Sequence, residues 1–368
     1  MSISYDSMLL NLKDLEAYLS QVFKSKVKVE YFGDLKGKEV KISDIKEYGY
    51  GVPLLITFNV EGERRQVVMS SMKIDKGFGH DYRSDRAANL ILAYDTWNKL
   101  PKHAKVFDIG TFTKRGLLSL GDAEEFFIIG EKVEGKEYIH DLERIYNDGK
   151  LINLDKERAK ALSIYLTEIH SVKKNDPELY IRKIRDTVGH GECIFGLADS
   201  YPYSTTFLKD NELEEIEKMC IEHRWRLKKK VHRLSQVHGD FHPWNVIFKE
   251  GINFTLLDRS RGEFGEPADD VAAMSINYIF FSLRKYGELR GEFQELYDIF
   301  INTYIEKTQD LELLEALPLF YTFRCLVIAS PIWYPTITNE VRRKIFNFAH
   351  NILIEKRFQP SKVNDYLK

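Results

Sequence analysis

The stretch that decides the reading is His238-Gly239-Asp240-Phe241-His242-Pro243-Trp244-Asn245-Val246-Ile247-Phe248, followed by Leu256-Leu257-Asp258 at the end of the next apolar run. Two short apolar runs separated by Gly251 predict a β-hairpin that brings Asn245 and Asp258 close together. An amide oxygen and a carboxylate at one hairpin end, with Asp240 nearby, suit a hard cation. Mg2+ prefers a few oxygen ligands plus nucleotide phosphates to a full protein cage. Phosphoryl transfer needs these parts: a carboxylate to orient or deprotonate an acceptor hydroxyl, and metal ligands to hold the phosphates.

Working outward, Leu54, Ile56, Phe58 and Val60 alternate as one strand face, Glu61-Gly62 offers a turn, and Gln66 to Met69 returns. That pattern predicts a hairpin. Met8 to about Lys24 carries leucines at helical spacing, and Lys26 to Tyr31 is compatible with a strand. Ser84 can cap a helix running to Trp97. Phe126-Phe127-Ile128-Ile129, bounded by charge, predicts a buried strand. After Gly135 the pattern turns helical, with Leu162, Leu166, Ile169 and Val172 as one stripe and several more across residues 267–360. Leu317 to Tyr334, interrupted by Arg324 and Pro331, predicts a buried core helix, since a membrane helix needs about 20 predominantly apolar residues. The architecture expected is α+β: a small N-terminal sheet lobe, 1–134, then a larger helical lobe, 135–368, hinged at Glu131 to Gly135.

Composition narrows the function classes. The 54 Lys+Arg and 56 Asp+Glu leave a net charge of −2, without the basic excess of a dedicated nucleic-acid binder. The 23 Phe, 20 Tyr and 4 Trp supply too much aromatic surface for a disordered chain. Cys193, Cys220 and Cys325 share no metal-ligand spacing and read as buried thiols in a reducing compartment. No basic n-region precedes an apolar run at the N-terminus, so the expectation is a cytoplasmic protein without a membrane segment.

The segment 238–258 resembles the catalytic region of the protein-kinase-like fold, and within it the aminoglycoside phosphotransferase and choline kinase group. That group's pattern H-G-D-x-x-x-x-N is matched by His238, Gly239, Asp240 and Asn245, and Asp258 matches its second metal ligand. Gly265-Glu266-Pro267-Ala268-Asp269-Asp270-Val271-Ala272 resembles G-D-P-x-x-D-L-A, with Glu266 a departure. Leu166 to Ser171 resembles the L-x-x-L-H-S helix that precedes the catalytic loop. The resemblance implies a two-lobed phosphotransferase that uses ATP and Mg2+ on a small-molecule hydroxyl acceptor. It implies Asp240 as the catalytic carboxylate, Asn245 and Asp258 as metal ligands, and His238 and Asp270 as braces of the loop. For the nucleotide it points to Gly49 and Gly51 as a phosphate-covering turn, and to Glu131 and Val133 as backbone contacts to adenine.

Other positions stay open between two readings. Met69 stands where the family expects a strand lysine. Lys73 replaces it, with Asp85 as counter-charge, or the chain is a pseudokinase that binds nucleotide or a partner with little turnover. Transfer of a nucleotidyl group is a third reading. For the acceptor, Gly189-His190-Gly191-Glu192 suits a loop that approaches a ligand, with His190 and Glu192 as contacts, or a plain glycine-rich connector. Arg259 and Arg261 favour an anionic acceptor, or else pair with Glu263, Glu266 or Asp269. His242 reads as a turn histidine without a partner. Arg224 to Arg233 reads as a solvated helix face, and Arg324, lone in an apolar helix, demands a carboxylate.

Overall fold

The computed structural model describes residues 12–35, 53–72, 79–202, 205–355 and 357–368, and the chain divides into two compact units, Met1–Gly130 and Glu131–Lys368. The first unit is built on α1 (Leu12–Val22) and an antiparallel sheet of β1 (Val27–Asp34), β2 (Leu54–Val60) and β3 (Glu63–Met69), in the order β1-β2-β3. Alternation in β2 turns Leu54, Ile56, Phe58 and Val60 inward, where they meet Leu15 and Leu19 of α1 with Val27 and Phe32 of β1. The β2–β3 hairpin turns at Glu61-Gly62 in the expected register, pairing Val60 with Glu63 and Leu54 with Met69. Then come α2 (Arg83–Trp97) and the hairpin β4 (Gly110–Thr113) with β5 (Gly116–Ser119).

Two expectations fail in this unit. Ser84 lies inside α2; the N-cap is Tyr82, whose backbone N–H donates to Asp85 Oδ2 at 2.8 Å. A carboxylate at the third helical position reaches back to the cap residue's own amide, the half of a capping box that needs no hydroxyl at the cap. Phe126 to Ile129 forms no strand and is exposed, Ile128 to 97%. An apolar run shows that a segment can be buried but not what would bury it, and neither edge strand, β1 nor β3, pairs with it.

The second unit opens with β6 (Lys136–Glu137), α3 (Ile139–Asp148), α4 (Asn153–Ser171), α5 (Pro177–Gly189), α6 (Ile194–Asp199) and α7 (Glu212–Leu227). Short strands β7 (Ser235–Gln236), β8 (Val246–Phe248), β9 (Phe254–Leu256) and β10 (Phe264–Gly265) follow. The chain ends with α8 (Pro267–Tyr286), α9 (Gly291–Thr308), α10 (Leu313–Ile328), α11 (Asn339–Ile354) and α12 (Val363–Tyr366). Sixteen of the 20 residues of α8 and 14 of the 16 of α10 are buried, so these two helices are the centre of the unit. The segment expected as one core helix from Leu317 to Tyr334 is core helix only to Ile328, with Ile332 and Trp333 exposed beyond it, and no helix among the described residues is long and apolar enough to cross a membrane. In α4 the buried stripe is Ala159, Leu162, Ser163, Leu166 and His170, with Val172 beyond the helix and 47% exposed. The periodicity found the helix but placed its face one position off, because a histidine, not Ile169, points inward. All three cysteines are buried and unpaired.

Candidate active site

The loop from Val237 to Asn245, the candidate catalytic loop, hangs between β7 and β8, and its conformation depends on a buried carboxylate. Asp270, fully enclosed in the first turn of α8, accepts the backbone N–H of His238 through Oδ2 and that of Gly239 through Oδ1, both at 2.7 Å. His170 Nε2 lies 3.1 Å from the same Oδ2, and its Nδ1 is 2.8 Å from the Tyr304 hydroxyl. Burial alone would raise the Asp270 pKa, but the hydrogen bonds from His170 and the two amides hold it below the usual carboxylate value. The chain Tyr304–His170–Asp270 therefore fixes the loop from behind.

Gly239 is required where it stands. Its φ is +90°, and a Cβ there would lie 2.9 Å from the Arg261 Cβ. His238 turns its ring the other way: Nδ1 accepts the Asp240 N–H at 3.3 Å, so Nε2 carries the proton and donates to the Leu257 carbonyl at 2.9 Å. One imidazole ties the catalytic loop to the residue preceding Asp258.

Asp240 is held from both sides. Arg324 Nη1, from α10, donates to Oδ1 at 2.6 Å, while His242 Nε2 lies 3.4 Å from Oδ2. Burial would raise its pKa, but the His242 contact and the Arg324 charge outweigh it and hold the carboxyl far below the usual range. The same guanidinium donates through Nη2 to Asp269 Oδ1 at 2.6 Å, so Arg324 bridges two carboxylates, as a buried charge in an apolar helix requires. His242 is not the partnerless turn histidine its sequence suggests. Its Nδ1 accepts the Trp244 N–H at 3.2 Å, and its Nε2 lies 3.2 Å from Asn245 Nδ2 as well as 3.4 Å from Asp240 Oδ2.

The hairpin forms as expected, with Val246 paired to Leu256 and the Leu257 N–H donating to the Asn245 carbonyl at 2.9 Å. Asn245 and Asp258 thus come to one end of it. Asn245 Nδ2 donates to the Asp240 carbonyl at 3.0 Å, and no described hydrogen bond engages its Oδ1. Asp258 is exposed, with φ +55°, two residues past β9 and not inside the strand. Its Oδ1 takes the Ser260 N–H at 3.0 Å, an Asx turn that stabilises the left-handed backbone. Among the described residues no group of three or more His, Cys, Asp or Glu could enclose a metal. Two oxygen donors fit a cation whose remaining ligands come from phosphates and water.

The family model for the phosphotransferase enzyme family (APH) matches residues 114–304, just over half of the chain and including every residue of this loop and its braces. The chain belongs to that family. The phosphotransferase also resembles solved kinases. An amicoumacin kinase in complex with AMP-PNP and Ca2+ is 14% identical over 87% of this chain and 96% of its own, with a TM-score of 0.42. A glucosamine kinase bound to glucosamine, ADP and inorganic phosphate is 14% identical over 63% of this chain and 62% of its own, at 0.38. A choline kinase from Streptococcus pneumoniae is 14% identical over 93% and 98%, at 0.34. No curated protein sequence matches the chain.

The other expected site residues divide. Gly49, Gly51 and Lys73 lie outside the described residues. Glu131 is exposed and Val133 half-buried in the extended segment that opens the second unit. His190 and Glu192 are exposed at the end of α5, joined to each other by the Glu192 N–H on His190 Nδ1 at 3.2 Å. No described hydrogen bond links either to Asp240. Packing there requires glycine at Gly196, where a Cβ would lie 1.8 Å from the Gly191 carbonyl oxygen, whereas a Cβ on Gly191 would meet nothing within 4 Å. Glu266, the departure from the family pattern, is buried and takes a two-pronged bond from Arg233, as close as 2.6 Å, with the Tyr180 hydroxyl at 2.7 Å. Arg233 is therefore a buried partner, not part of a solvated basic face. Among the described residues Arg259 donates one hydrogen bond, to the Glu263 carbonyl at 3.3 Å.

Sequence reasoning passed over Arg324 and His242 as site residues. A lone arginine in an apolar helix was the available signal for the first: it announced a carboxylate without saying which. Arg324 lies 20 residues beyond the matched segment.

Proposed function

We propose that this phosphotransferase moves the γ-phosphoryl group of ATP, with Mg2+, to the hydroxyl of a small molecule. The observation that carries the reading is the joint placement of Asp240, Asn245 and Asp258 on one rigidly braced loop and hairpin. Asp240 Oδ2, the oxygen not taken by Arg324, receives the hydrogen bond of the acceptor hydroxyl and orients its lone pair towards phosphorus. As the new P–O bond forms and the bond to the ADP oxygen breaks, the hydroxyl proton passes to Asp240 and then to water. Because Arg324 keeps the carboxylate ionised, Asp240 acts chiefly by orientation, which suits a loose transition state that asks for little base strength. Asn245 Oδ1 and the free Asp258 oxygen would hold Mg2+. When bound, that ion neutralises charge developing on the phosphates.

Assignment of Gly49, Gly51, Lys73, Glu131 and Val133 to the nucleotide belongs to the same proposal, as does a cytoplasmic setting, which three free buried thiols favour. Met69, paired to Leu54 at the end of β3, favours the pseudokinase reading, since a thioether cannot neutralise phosphate charge. A screen of small hydroxyl compounds for acceptor-dependent ADP release separates the two. Turnover that disappears in Asp240→Ala supports the kinase, and Mg-ATP binding without ADP release from any acceptor supports the pseudokinase.

A further inference from the structure

The hydrogen bonds around Asp240 leave one guanidinium without a carboxylate in contact. Asp240 and Asp269 share Arg324, and Glu266 is taken by Arg233. Glu263 offers Arg259 only its backbone carbonyl. Arg261 hydrogen-bonds to no carboxylate among the described residues, and its charge acts on Asp269 only through space. Its side chain is half-buried and packs against Gly239, the residue preceding Asp240. Its guanidinium lies over the Phe323 ring at 4.9 Å, with the Arg324 guanidinium over the same ring at 4.7 Å. Among the described residues the guanidinium donates one hydrogen bond, to Cys193 Sγ at 3.5 Å, while the Arg261 carbonyl accepts from Lys183 Nζ at 2.5 Å. Burial pushes that thiol up to about 11, so it is neutral and a weak acceptor, not a counter-ion. Arg324 is 6% exposed, and its Nε is a buried donor without a partner. A partly desolvated guanidinium with only a thiol to bond, beside the carboxylate that orients the hydroxyl, is an incomplete ion pair.

We propose that Arg261 completes the pair with an anionic group of the acceptor itself, so that the substrate is a small hydroxyl compound carrying a carboxylate or a phosphate. The inference rests on the phosphotransferase reading and narrows it. A guanidinium takes either anion with two parallel N–H donors, and such charge-assisted bonds are the strong ones. A polycationic acceptor would instead face Arg261 with like charge.

The test uses acceptors in matched pairs that differ by the anion: glycerol with glycerate, and ethanolamine with serine. With Mg-ATP, the wild-type protein should favour the anionic member of at least one pair by tenfold or more in kcat/KM, about the worth of one charge-assisted bond. Arg261→Gln should erase that preference mainly through acceptor KM, leaving the neutral member and the KM for ATP unchanged, and Arg261→Lys should restore part of it. A rise in the KM for ATP with both members affected equally would assign Arg261 to the nucleotide phosphates and overturn the proposal. A cationic best acceptor with Arg261→Gln fully active would overturn it as well. Calorimetry without nucleotide keeps the inference separate from turnover. Glycerate or inorganic phosphate bound by wild type and lost in Arg261→Gln supports the anion site even if no acceptor is phosphorylated, a result that would count against phosphotransfer alone. Neither anion binding to the wild type would remove the anion site.

Discussion

Replacing Arg324 by Met keeps the apolar stem of the side chain and removes the guanidinium that bridges Asp240 and Asp269. Both contacts are 2.6 Å, and the side chains are 8%, 17% and 16% exposed, so solvent cannot take over the lost partner. Breaking a buried pair by deleting one member costs about 3–5 kcal/mol, because a charge is left uncompensated. Arg324→Met should lose about that much in urea unfolding monitored by tryptophan fluorescence. In an Asp269→Asn background one carboxylate is already neutral, and the further cost of Arg324→Met should shrink by about 0.5–3 kcal/mol, the range of coupling for contacting residues. Arg324→Lys should fall between the two, since an ammonium cannot span both carboxylates with a fork. A loss below about 1 kcal/mol, or an identical loss in both backgrounds, would show that the bridge does not hold these carboxylates.

Other outcomes follow from the same structure. His223 is 1% exposed and its Nε2 donates to the Leu353 carbonyl at 2.8 Å; burial lowers its pKa to about 4. The unfolded chain then binds the extra proton first, so stability is full above about pH 6.5 and falls by roughly 3 kcal/mol as the pH drops towards 4. His223→Gln should flatten the denaturation midpoint over that window, and an unchanged pH dependence would contradict the assignment. Asp258→Asn should abolish Mg2+-dependent nucleotide binding by calorimetry while the circular dichroism spectrum is kept, whereas wild-type affinity in that variant would remove the metal role. Lys73→Ala should lower turnover at least about tenfold, equivalent to about 1.4 kcal/mol of transition-state stabilisation. A silent Lys73→Ala together with activation by Met69→Lys would mark a weakened kinase.

The parts of the fold legible in the sequence are those set by neighbours along the chain. Alternation of Leu54, Ile56, Phe58 and Val60 before the Glu61-Gly62 turn pointed to the β2–β3 hairpin, and two apolar runs about Gly251 to the hairpin of Asn245 and Asp258. Asp270 and His238 were readable as braces because a motif fixes their spacing. What was not legible depends on distant partners. Arg324 and Asp240 are 84 residues apart, and Arg233 and Glu266 are 33, so each charge announced a need without naming its mate. His242 reaches Asp240 only because the Pro243 turn folds its ring back over the loop, and that geometry has no composition signature. Phe126 to Ile129 misled for the opposite reason: local hydrophobicity was taken for a strand, and a strand needs an edge to pair with.

The central claim is that Asp240 serves transfer of the γ-phosphoryl group to a hydroxyl. Phosphorus NMR of the products formed from Mg-ATP and the best acceptor tests it, with wild type run beside Asp240→Ala. The account predicts ADP and a new phosphomonoester, both dependent on the acceptor and reduced by about 10²–10⁴-fold in the variant. Pyrophosphate as a product, or a phosphomonoester formed at the wild-type rate by Asp240→Ala, would contradict it.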